Sequence, residues 1–298
     1  MLCRSAGAVW LSRKGSLAAL GVLPCWWVAL DLLRDHLLGG FGWLSMGLSQ
    51  YRVLPVIQIA DVTGVFGVTF VVVLVNVALA QMIRAWRTPQ EWSRAGAASR
   101  LVLALGVAGL AVVYGWWRLP VHVTPGPLVT VVQGDIPQAD KWRPEMADAI
   151  LRKYFVLTTQ ALEQAGKQGL PPDLVIWPET AFPGFVWDHP ERMEVVKDFV
   201  RQQQVPLLLG LIRWEGEAYF NSALLISAQG EIVARHDKQH LVPFGEYLPL
   251  RRQLPAALSA LVPIADFTAG TQATVFDLDQ GAAASRTTPA RFGVRSEE

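Results

Sequence analysis

The sequence predicts an α-helical membrane segment followed by an α/β domain, and two observations lead to this prediction. Only 17% of the 298 residues are charged, against about 25% in an ordinary soluble domain, and charges are sparse before Pro120 and ordinary after it. The same boundary separates long apolar runs from short apolar strands that alternate with polar, helix-like stretches. We therefore predict a transmembrane region in residues 1–120 and a water-exposed α/β domain in residues 127–298.

Three apolar runs in the first part are predicted membrane spans. Residues 62–83 carry no charge and are long enough to cross a hydrocarbon core of about 30 Å. Residues 101–117 are slightly short, but small residues upstream extend them. Residues 17–33 are interrupted by Pro24 and Asp31, and a signal peptide is the alternative because two basic residues precede them. A span is favoured there, since no good small-residue cleavage site follows and two adjacent tryptophans suit an interfacial anchor.

The distribution of arginine predicts how these spans are oriented. The loop between the second and third spans carries four basic residues against one acid, whereas the preceding loop carries two of each. Because Lys and Arg accumulate on the cytoplasmic side, the arginine-rich loop should be cytoplasmic. Residues after about 119 then lie on the periplasmic side of a bacterial inner membrane. The four basic residues are Arg84, Arg87, Arg94 and Arg100.

The stretch between the first two spans, Gly39–Gln50, is too rich in glycine for a stable helix in water. Its aromatic residues suit an interfacial or re-entrant segment that lines a lipid-facing cavity. An ordinary surface loop is the alternative. Composition leaves both interpretations open.

The second part reads as alternating strands and amphipathic helices. Ser227–Gly230 is predicted to be a hairpin turn, and no strand is followed by a glycine-rich phosphate loop, so nucleotide binding has no support. The predicted strands are Leu128–Gln133, Leu174–Ile176, Pro206–Leu211, Ser222–Ser227 and Ile232–Arg235, and the predicted helices are Glu145–Gln164 and Pro190–Gln203.

Glu179 is a candidate catalytic base, because it comes directly after a buried strand and lies between Pro178 and Thr180. Lys238 follows a strand and precedes an apolar run, where it could stabilise an oxyanion or donate a proton. Such settings should desolvate both side chains and shift each pKa toward neutrality. The alternatives are a helix-capping or loop acid for Glu179 and a surface lysine for Lys238. Glu246 is placed to pair with or orient the lysine.

No cofactor, metal or nucleic acid is predicted. His236 and His240 have i,i+4 spacing, but no third ligand or helical pattern accompanies them. The net charge of +1 gives no electrostatic reason for nucleic-acid binding. The only cysteines, Cys3 and Cys25, form no zinc-binding or disulfide pattern.

Together these motifs resemble the carbon–nitrogen hydrolase (nitrilase) superfamily and, within it, the bacterial apolipoprotein N-acyltransferase family. The resemblance runs from about Leu23 to Ile264. Gly42 stands where the family usually has proline, and Asp135 where asparagine is common. The matching stretches are Asp173–Ala181, Lys238–Pro249, Val131–Gln138 with Lys141 and Trp142, and Gly39–Gln50.

The resemblance implies a four-layer α-β-β-α sandwich on a bundle of eight membrane helices. Glu179 would be the general base, Lys238 the oxyanion stabiliser and Glu246 an accessory acid. The family's cysteine takes the sn-1 acyl chain of a phospholipid as a thioester and passes it to the α-amine of a diacylglyceryl-cysteine at a lipoprotein's N-terminus. A phospholipid donor, an apolipoprotein acceptor and a monomer are therefore expected, with residues 241–264 forming an arm over the bilayer.

One part of the family pattern is not found. The nucleophile of the family lies in a Cys-Tyr-Glu stretch downstream of the lysine, but no cysteine follows Cys25; Arg291–Val294 resembles only the strand that leads to it. The expectation is a chain truncated at both ends, with an incomplete sandwich and no activity as given. The alternatives are a non-catalytic membrane-anchored remnant that binds lipid or a partner, and another membrane-tethered nitrilase-type amidase.

Overall fold

The computed structural model describes residues 17–37, 40, 42–119, 126–251, 266–278 and the backbone of 291–294. The chain divides into two compact units, residues 1–123 and 124–298.

The first unit is helical. Its described helices are α1 (Leu17–His36), α2 (Leu54–Ile57), α3 (Ala60–Arg87) and α4 (Arg94–Arg118), with a 3₁₀ turn at Met46–Gln50. In this described part, α1, α3 and α4 are long and apolar enough to cross a membrane. They contain the three predicted spans and extend beyond them, so their membrane crossing stays a prediction supported by length and composition.

Small and aliphatic side chains pack the three long helices together. Leu20 of α1, Leu74 and Ala78 of α3, and Ala104 of α4 form one buried cluster. Close packing of this kind through small residues is typical of helices in membranes. Near its start, α3 is broken at Gly64, where φ is 61° and ψ is −169°, a conformation that only glycine adopts readily.

The segment that precedes α3 lies against the helices. The Gly47 amide donates to Thr69 Oγ1 at 2.9 Å, and a Cβ on Gly47 would lie 2.6 Å from the Val65 carbonyl oxygen. A Cβ on Gly115 of α4 would lie 1.8 Å from the carbonyl oxygen of Pro55. The described part of Gly39–Gln50 is therefore a packed element; residues 39 and 41 lie outside the described residues.

The second unit is an α/β unit. Its described strands are β1 (Val129–Val131), β2 (Leu174–Ile176), β3 (Leu207–Glu215), β4 (Ala218–Ile226), β5 (Ile232–Asp237), β6 (Thr274–Asp277) and β7 (Arg291–Val294), and its described helices are α5 (Gln138–Lys141), α6 (Ala147–Lys167) and α7 (Pro190–Gln203). Five of these strands form a mixed sheet with the order β1-β2-β3-β4-β5, in which β1, β2 and β3 are parallel and β3, β4 and β5 are antiparallel. A separate antiparallel pair joins β6 and β7.

The two faces of the five-stranded sheet are covered differently. On one face, α6 and α7 pack on the larger apolar core through residues such as Tyr154 and Val196. On the other face, Phe276 and Leu278 pack on Leu208 and Leu225. The predicted fold class, apolar helices followed by an α/β domain, is confirmed.

The β3–β4 hairpin is longer than the sequence predicts. β3 continues past Leu211 to Glu215, and β4 begins at Ala218 rather than Ser222. Arg213, Trp214 and Glu215 do not read as a buried strand, yet Arg213 is only 2% exposed. The hairpin extension matters because it carries the side chains that lie beside the predicted site.

Candidate active site

Glu179 is held by a rigid turn at the carboxyl end of β2. The preceding Trp177 is 2% exposed, stacks on Tyr154 with ring centroids 4.9 Å apart, and donates from Nε1 to Thr158 Oγ1 at 3.0 Å. Thr180, which follows, has a φ of +48°. The buried tryptophan therefore fixes the end of the strand, and the chain turns so that Glu179 points out of the core.

The turn is seated on β3 at Gly210. A Cβ on Gly210 would lie 2.3 Å from the Pro178 carbonyl oxygen and 2.7 Å from the Glu179 Cα. The Gly210 carbonyl also accepts a hydrogen bond from the Phe182 amide at 3.1 Å. Only a residue without a side chain fits this contact between two backbones.

We therefore expect Gly210→Ala to displace the Pro178–Thr180 turn and to lower the free energy of unfolding by about 1–3 kcal/mol. The matched control is Gly166→Ala in α6, where an added Cβ meets nothing within 4 Å and alanine favours the helix. Thermal unfolding followed by circular dichroism compares the two variants. Equal midpoints for Gly210→Ala and wild type would show that the turn accommodates a methyl group.

Lys238 lies directly after β5, and its backbone is fixed on both sides. Its amide donates to the Asn221 carbonyl of β4 at 2.8 Å, and its carbonyl accepts from the Gly270 amide at 2.8 Å. The bond to Asn221 continues the pairing of β4 with β5 by one residue, which places Lys238 opposite Asn221. The lysine is therefore positioned by the sheet rather than by a free loop.

The structure brings the three predicted residues together. Lys238 Nζ lies 3.2 Å from Glu179 Oε1 and 3.1 Å from Glu246 Oε1. Two carboxylates thus share one ammonium group, although Glu179 lies 59 residues from the lysine in the sequence. The catalytic roles suggested for these residues stay predictions.

The two carboxylates differ in how firmly they are held. Glu246 is 15% exposed at its side chain, and its Oε2 accepts from the Val242 amide at 2.8 Å. Glu179 is 58% exposed, so the expected desolvation of this carboxylate is not found. No hydrogen-bond donor reaches its Oε2 among the residues that the structure describes. Glu246 is thus a fixed counterion, whereas Glu179 keeps one oxygen open.

Asn221, which sequence reasoning missed, completes the cluster. Its side chain is buried, with the residue 6% exposed. Nδ2 donates to Glu246 Oε1 at 2.9 Å and makes a short hydrogen bond to Glu179 Oε1. Nothing in the local sequence signals this role, because both acceptors come from other parts of the chain.

The predicted direction of the Lys238 pKa shift is wrong. Burial acts to lower the pKa of Lys238, but the carboxylates of Glu179 and Glu246 outweigh it and raise the pKa above its ordinary value. The side chain is therefore a permanent cation at neutral pH, suited to stabilising an oxyanion and not to releasing a proton.

A second lysine approaches the site from α5. Lys141 Nζ donates to the Glu179 carbonyl oxygen at 3.2 Å. Burial lowers the pKa of Lys141, and the nearby Glu179 offsets only part of that effect. Lys141 thus anchors the backbone of the turn that carries the glutamate.

Behind the cluster, a buried ion pair holds the end of β5. Arg213 donates to both carboxylate oxygens of Asp237, at 3.0 and 2.8 Å, and the Ser222 hydroxyl donates to Asp237 at 2.6 Å. These groups lie on the opposite face of the sheet from Lys238, since neighbouring residues of a strand alternate. They tie β3, β4 and β5 together one residue before the lysine.

Other predicted features fall outside the cluster or outside the described residues. His236 is 3% exposed, and neither ring nitrogen has a hydrogen-bond partner among the described residues. No group of three or more metal-binding side chains occurs in the described part of the chain. Cys3 and most of the predicted arm, residues 252–264, lie outside it, whereas Arg291–Val294 pairs with β6.

The mixed sheet thus presents a glutamate after β2 and a lysine after β5, and the loop that follows β5 brings a second glutamate to the same ammonium group. The family model described as Carbon-nitrogen hydrolase matches residues 128–294, and the chain belongs to this family. Residues 1–78 match the model described as the Apolipoprotein N-acyltransferase N-terminal domain. The resemblance proposed from the motifs is thereby confirmed.

Curated relatives named apolipoprotein N-acyltransferase match both units. The Geobacter metallireducens protein is 36% identical over 286 residues, covering 93% of this chain and 53% of the relative. The Methylococcus capsulatus protein is 36% identical over 273 residues, covering 88% and 50%. The Sinorhizobium fredii protein is 31% identical over 292 residues, covering 93% and 51%. The chain thus spans about half the length of these relatives.

Among solved structures, the carbon-nitrogen hydrolase from Helicobacter pylori G27 is 20% identical and has a TM-score of 0.32, covering 48% of this chain and 44% of that chain. A similarity of that size carries no information about function.

Proposed function

We propose that this chain supplies the base and the oxyanion-stabilising cation of an acyl-transfer site of the apolipoprotein N-acyltransferase type. The observation that supports this most directly is the Lys238 ammonium between Glu179 and Glu246, with one oxygen of Glu179 left open. The acyl donor would be a membrane phospholipid. The acceptor would be the α-amine of a diacylglyceryl-cysteine at the N-terminus of a lipoprotein.

Each side chain has a separate task in this reaction. Glu179 Oε2 takes the proton of a thiol, and the thiolate attacks the carbonyl carbon of the phospholipid ester. The carbonyl oxygen becomes an oxyanion beside Lys238. When the tetrahedral intermediate collapses, the ester C–O bond breaks, the proton on Glu179 passes to the lysophospholipid alkoxide, and a thioester remains.

The second half-reaction uses the same groups. Glu179 removes a proton from the acceptor amine as it attacks the thioester, and Lys238 again stabilises the oxyanion. The C–S bond breaks, the thiolate regains a proton, and an amide forms. Residues 26–298 contain no cysteine. The proposed contribution of this chain is therefore the base and the oxyanion stabiliser, and the thiol is assigned to none of its residues.

The helices support a membrane location for this chemistry. The three long apolar helices indicate a membrane protein. We infer that α1, α3 and α4 cross the bacterial inner membrane, with the arginine-rich connection from α3 to α4 on the cytoplasmic side. Residues after about 119 then form the periplasmic catalytic domain, where both lipid-anchored substrates reach it from the bilayer.

A soluble thiol tests the proposed roles directly. The purified chain is mixed with p-nitrophenyl octanoate and ethanethiol, and release of p-nitrophenolate is followed with and without the thiol. We expect thiol-dependent acyl transfer that Glu179→Gln lowers about a hundredfold, because the general base is lost.

Glu194→Gln is the matched control, since the Glu194 side chain is 57% exposed, nearly the same as that of Glu179, but lies on α7 away from the cluster. It should react at the wild-type rate. Equal thiol-dependent rates for wild type and Glu179→Gln would contradict the proposed base. Ester cleavage that does not depend on the thiol would favour a hydrolase instead.

A further inference from the structure

The neutral side chain of Asn221 donates hydrogen bonds to two negatively charged carboxylates. Its Nδ2 atom donates to a carboxylate oxygen of Glu179 and to one of Glu246, which lie 42 and 25 residues away in the sequence. An amide nitrogen carries two hydrogens, so each carboxylate receives one. Because both neighbours accept only, the nitrogen and not the amide oxygen must face them.

The position of Asn221 follows from the register of the sheet. Asn221 lies beside Ile212 of β3, and its carbonyl accepts the amide hydrogen of Lys238. The side chains of Asn221 and Lys238 therefore emerge as neighbours on one face of the sheet. Asn221 therefore holds the lysine backbone through its own carbonyl and binds, through its side chain, both acids that surround the lysine ammonium.

We propose that Asn221 is a positioning residue that holds Glu179 and Glu246 together on Lys238. Two carboxylates repel each other, and a neutral donor between them offsets the repulsion without removing the charge of either. Binding of Glu179 Oε1 by Asn221 and Lys238 directs the open Oε2 toward substrate. This role rests on the proposed function of Glu179 as the base. It adds to that proposal by specifying which carboxylate oxygen of Glu179 reacts.

The two acids depend on Asn221 to different degrees. Glu246 keeps the Val242 amide as a second anchor. Glu179 is mostly exposed, and among the residues that the structure describes its carboxylate has Asn221 and Lys238 as its only partners. Without the asparagine donor, Glu179 should move into solvent, where its side chain regains rotamer freedom. Lys238 would then keep one acidic neighbour instead of two.

The titration of Lys238 reports this loss without any acyl substrate. In the described part of the chain, the charged groups around its ammonium are the carboxylates of Glu179 and Glu246. Lys141 lies beyond Glu179, at its carbonyl oxygen. Asp237 is directed to the other face, where Arg213 binds it. A change in the titration midpoint of Lys238 therefore reports whether the carboxylates of Glu179 and Glu246 remain beside its ammonium group.

The experiment is competitive acetylation of the full 298-residue chain between pH 8 and 11. Lys238 labelling is quantified by mass spectrometry against N-acetyl-lysine amide in the same tube. In Asn221→Ala, the midpoint of Lys238 should fall by about one pH unit as Glu179 leaves. In Asn221→Asp, which has the same size but adds an acid, the midpoint should stay at or above that of wild type.

The opposite behaviour of the two variants separates positioning from general loosening of the strands. Ser222→Ala, on the same strand but facing Asp237, should leave the midpoint unchanged. An equal fall in both Asn221 variants, or no change in Asn221→Ala, would overturn the proposal. Because labelling needs no catalysis, a chain that fails to transfer acyl groups can still pass this test, so the two proposals fail separately.

Discussion

Replacing Lys238 with methionine is expected to lower the rate of thiol-dependent acyl transfer about a thousandfold, which corresponds to about 4 kcal/mol of transition-state stabilisation. Methionine keeps the length and the apolar stem of lysine but removes its charge. The developing oxyanion then has no cation beside it. In addition, Glu179 and Glu246 lose the ammonium that they share and repel each other.

The measurement is p-nitrophenolate release with octanoate ester and ethanethiol. Lys197→Met is the control, because Lys197 forms its ion pair with Glu194 on α7 and contacts no part of the cluster. This variant should react at the wild-type rate. A Lys238→Met rate within threefold of wild type would exclude the lysine as the oxyanion stabiliser.

The ion cluster also predicts how stability changes with pH. The pKa of Lys238 is raised in the folded chain, so its stabilising effect is complete below the ordinary value of about 10.4 and is lost as pH rises through the folded value. Wild type should therefore lose stability above about pH 10, and Lys238→Met should lack that loss.

The features that the sequence predicts correctly depend mainly on residues that are close to one another in the chain. Helix α7 has the predicted bounds Pro190–Gln203, because proline suits the first helical turn and Gln204 ends the helix with a left-handed conformation. Glu179 could be singled out because it follows a buried apolar strand, and Lys238 because it follows a strand and precedes an apolar run. Strand ends are where an α/β sheet presents reactive groups.

What the sequence could not predict depends on partners that are distant in the chain. The apolar neighbours of Lys238 suggested a lowered pKa, but two carboxylates brought in by folding raise it. Asn221 reads as an ordinary polar residue until the β3–β4 hairpin places it between two acids. Arg213 could not be recognised as buried, because its burial requires the carboxylate of Asp237, which is 24 residues away.

Arg213→Met is expected to lower the free energy of unfolding by about 3–5 kcal/mol. Arg213 is only 2% exposed. Its guanidinium group binds both oxygens of Asp237 and lies 4.0 Å from the centre of the Phe220 ring. Methionine fills part of the space but removes the buried cation of Asp237, which keeps only the exposed Arg235 among its described cationic neighbours. Thermal and urea unfolding of the purified chain measure the loss.

Arg235→Met is a control that involves the same acid. Arg235 lies 3.5 Å from Asp237, but its side chain is 46% exposed, and an exposed pair of this kind contributes less than about 1 kcal/mol. The double variant Arg213→Met, Asp237→Leu should recover much of the stability that the single variant loses, because an apolar pair replaces the ion pair. A loss of equal size in Arg213→Met and Arg235→Met would show that burial of the pair does not matter.

The dependence of this loss on pH distinguishes an unpaired charge from lost packing. Burial acts to raise the pKa of Asp237, but Arg213 and Ser222 outweigh it and hold the pKa below the ordinary value. In wild type this contribution is present above about pH 3.9 and disappears as pH falls through the folded pKa. In Arg213→Met the carboxylate can regain stability by taking up a proton. The difference in the free energy of unfolding between wild type and Arg213→Met should therefore be largest at pH 7 and become smaller toward pH 4. A difference that does not change with pH would mean that the arginine acts through packing alone.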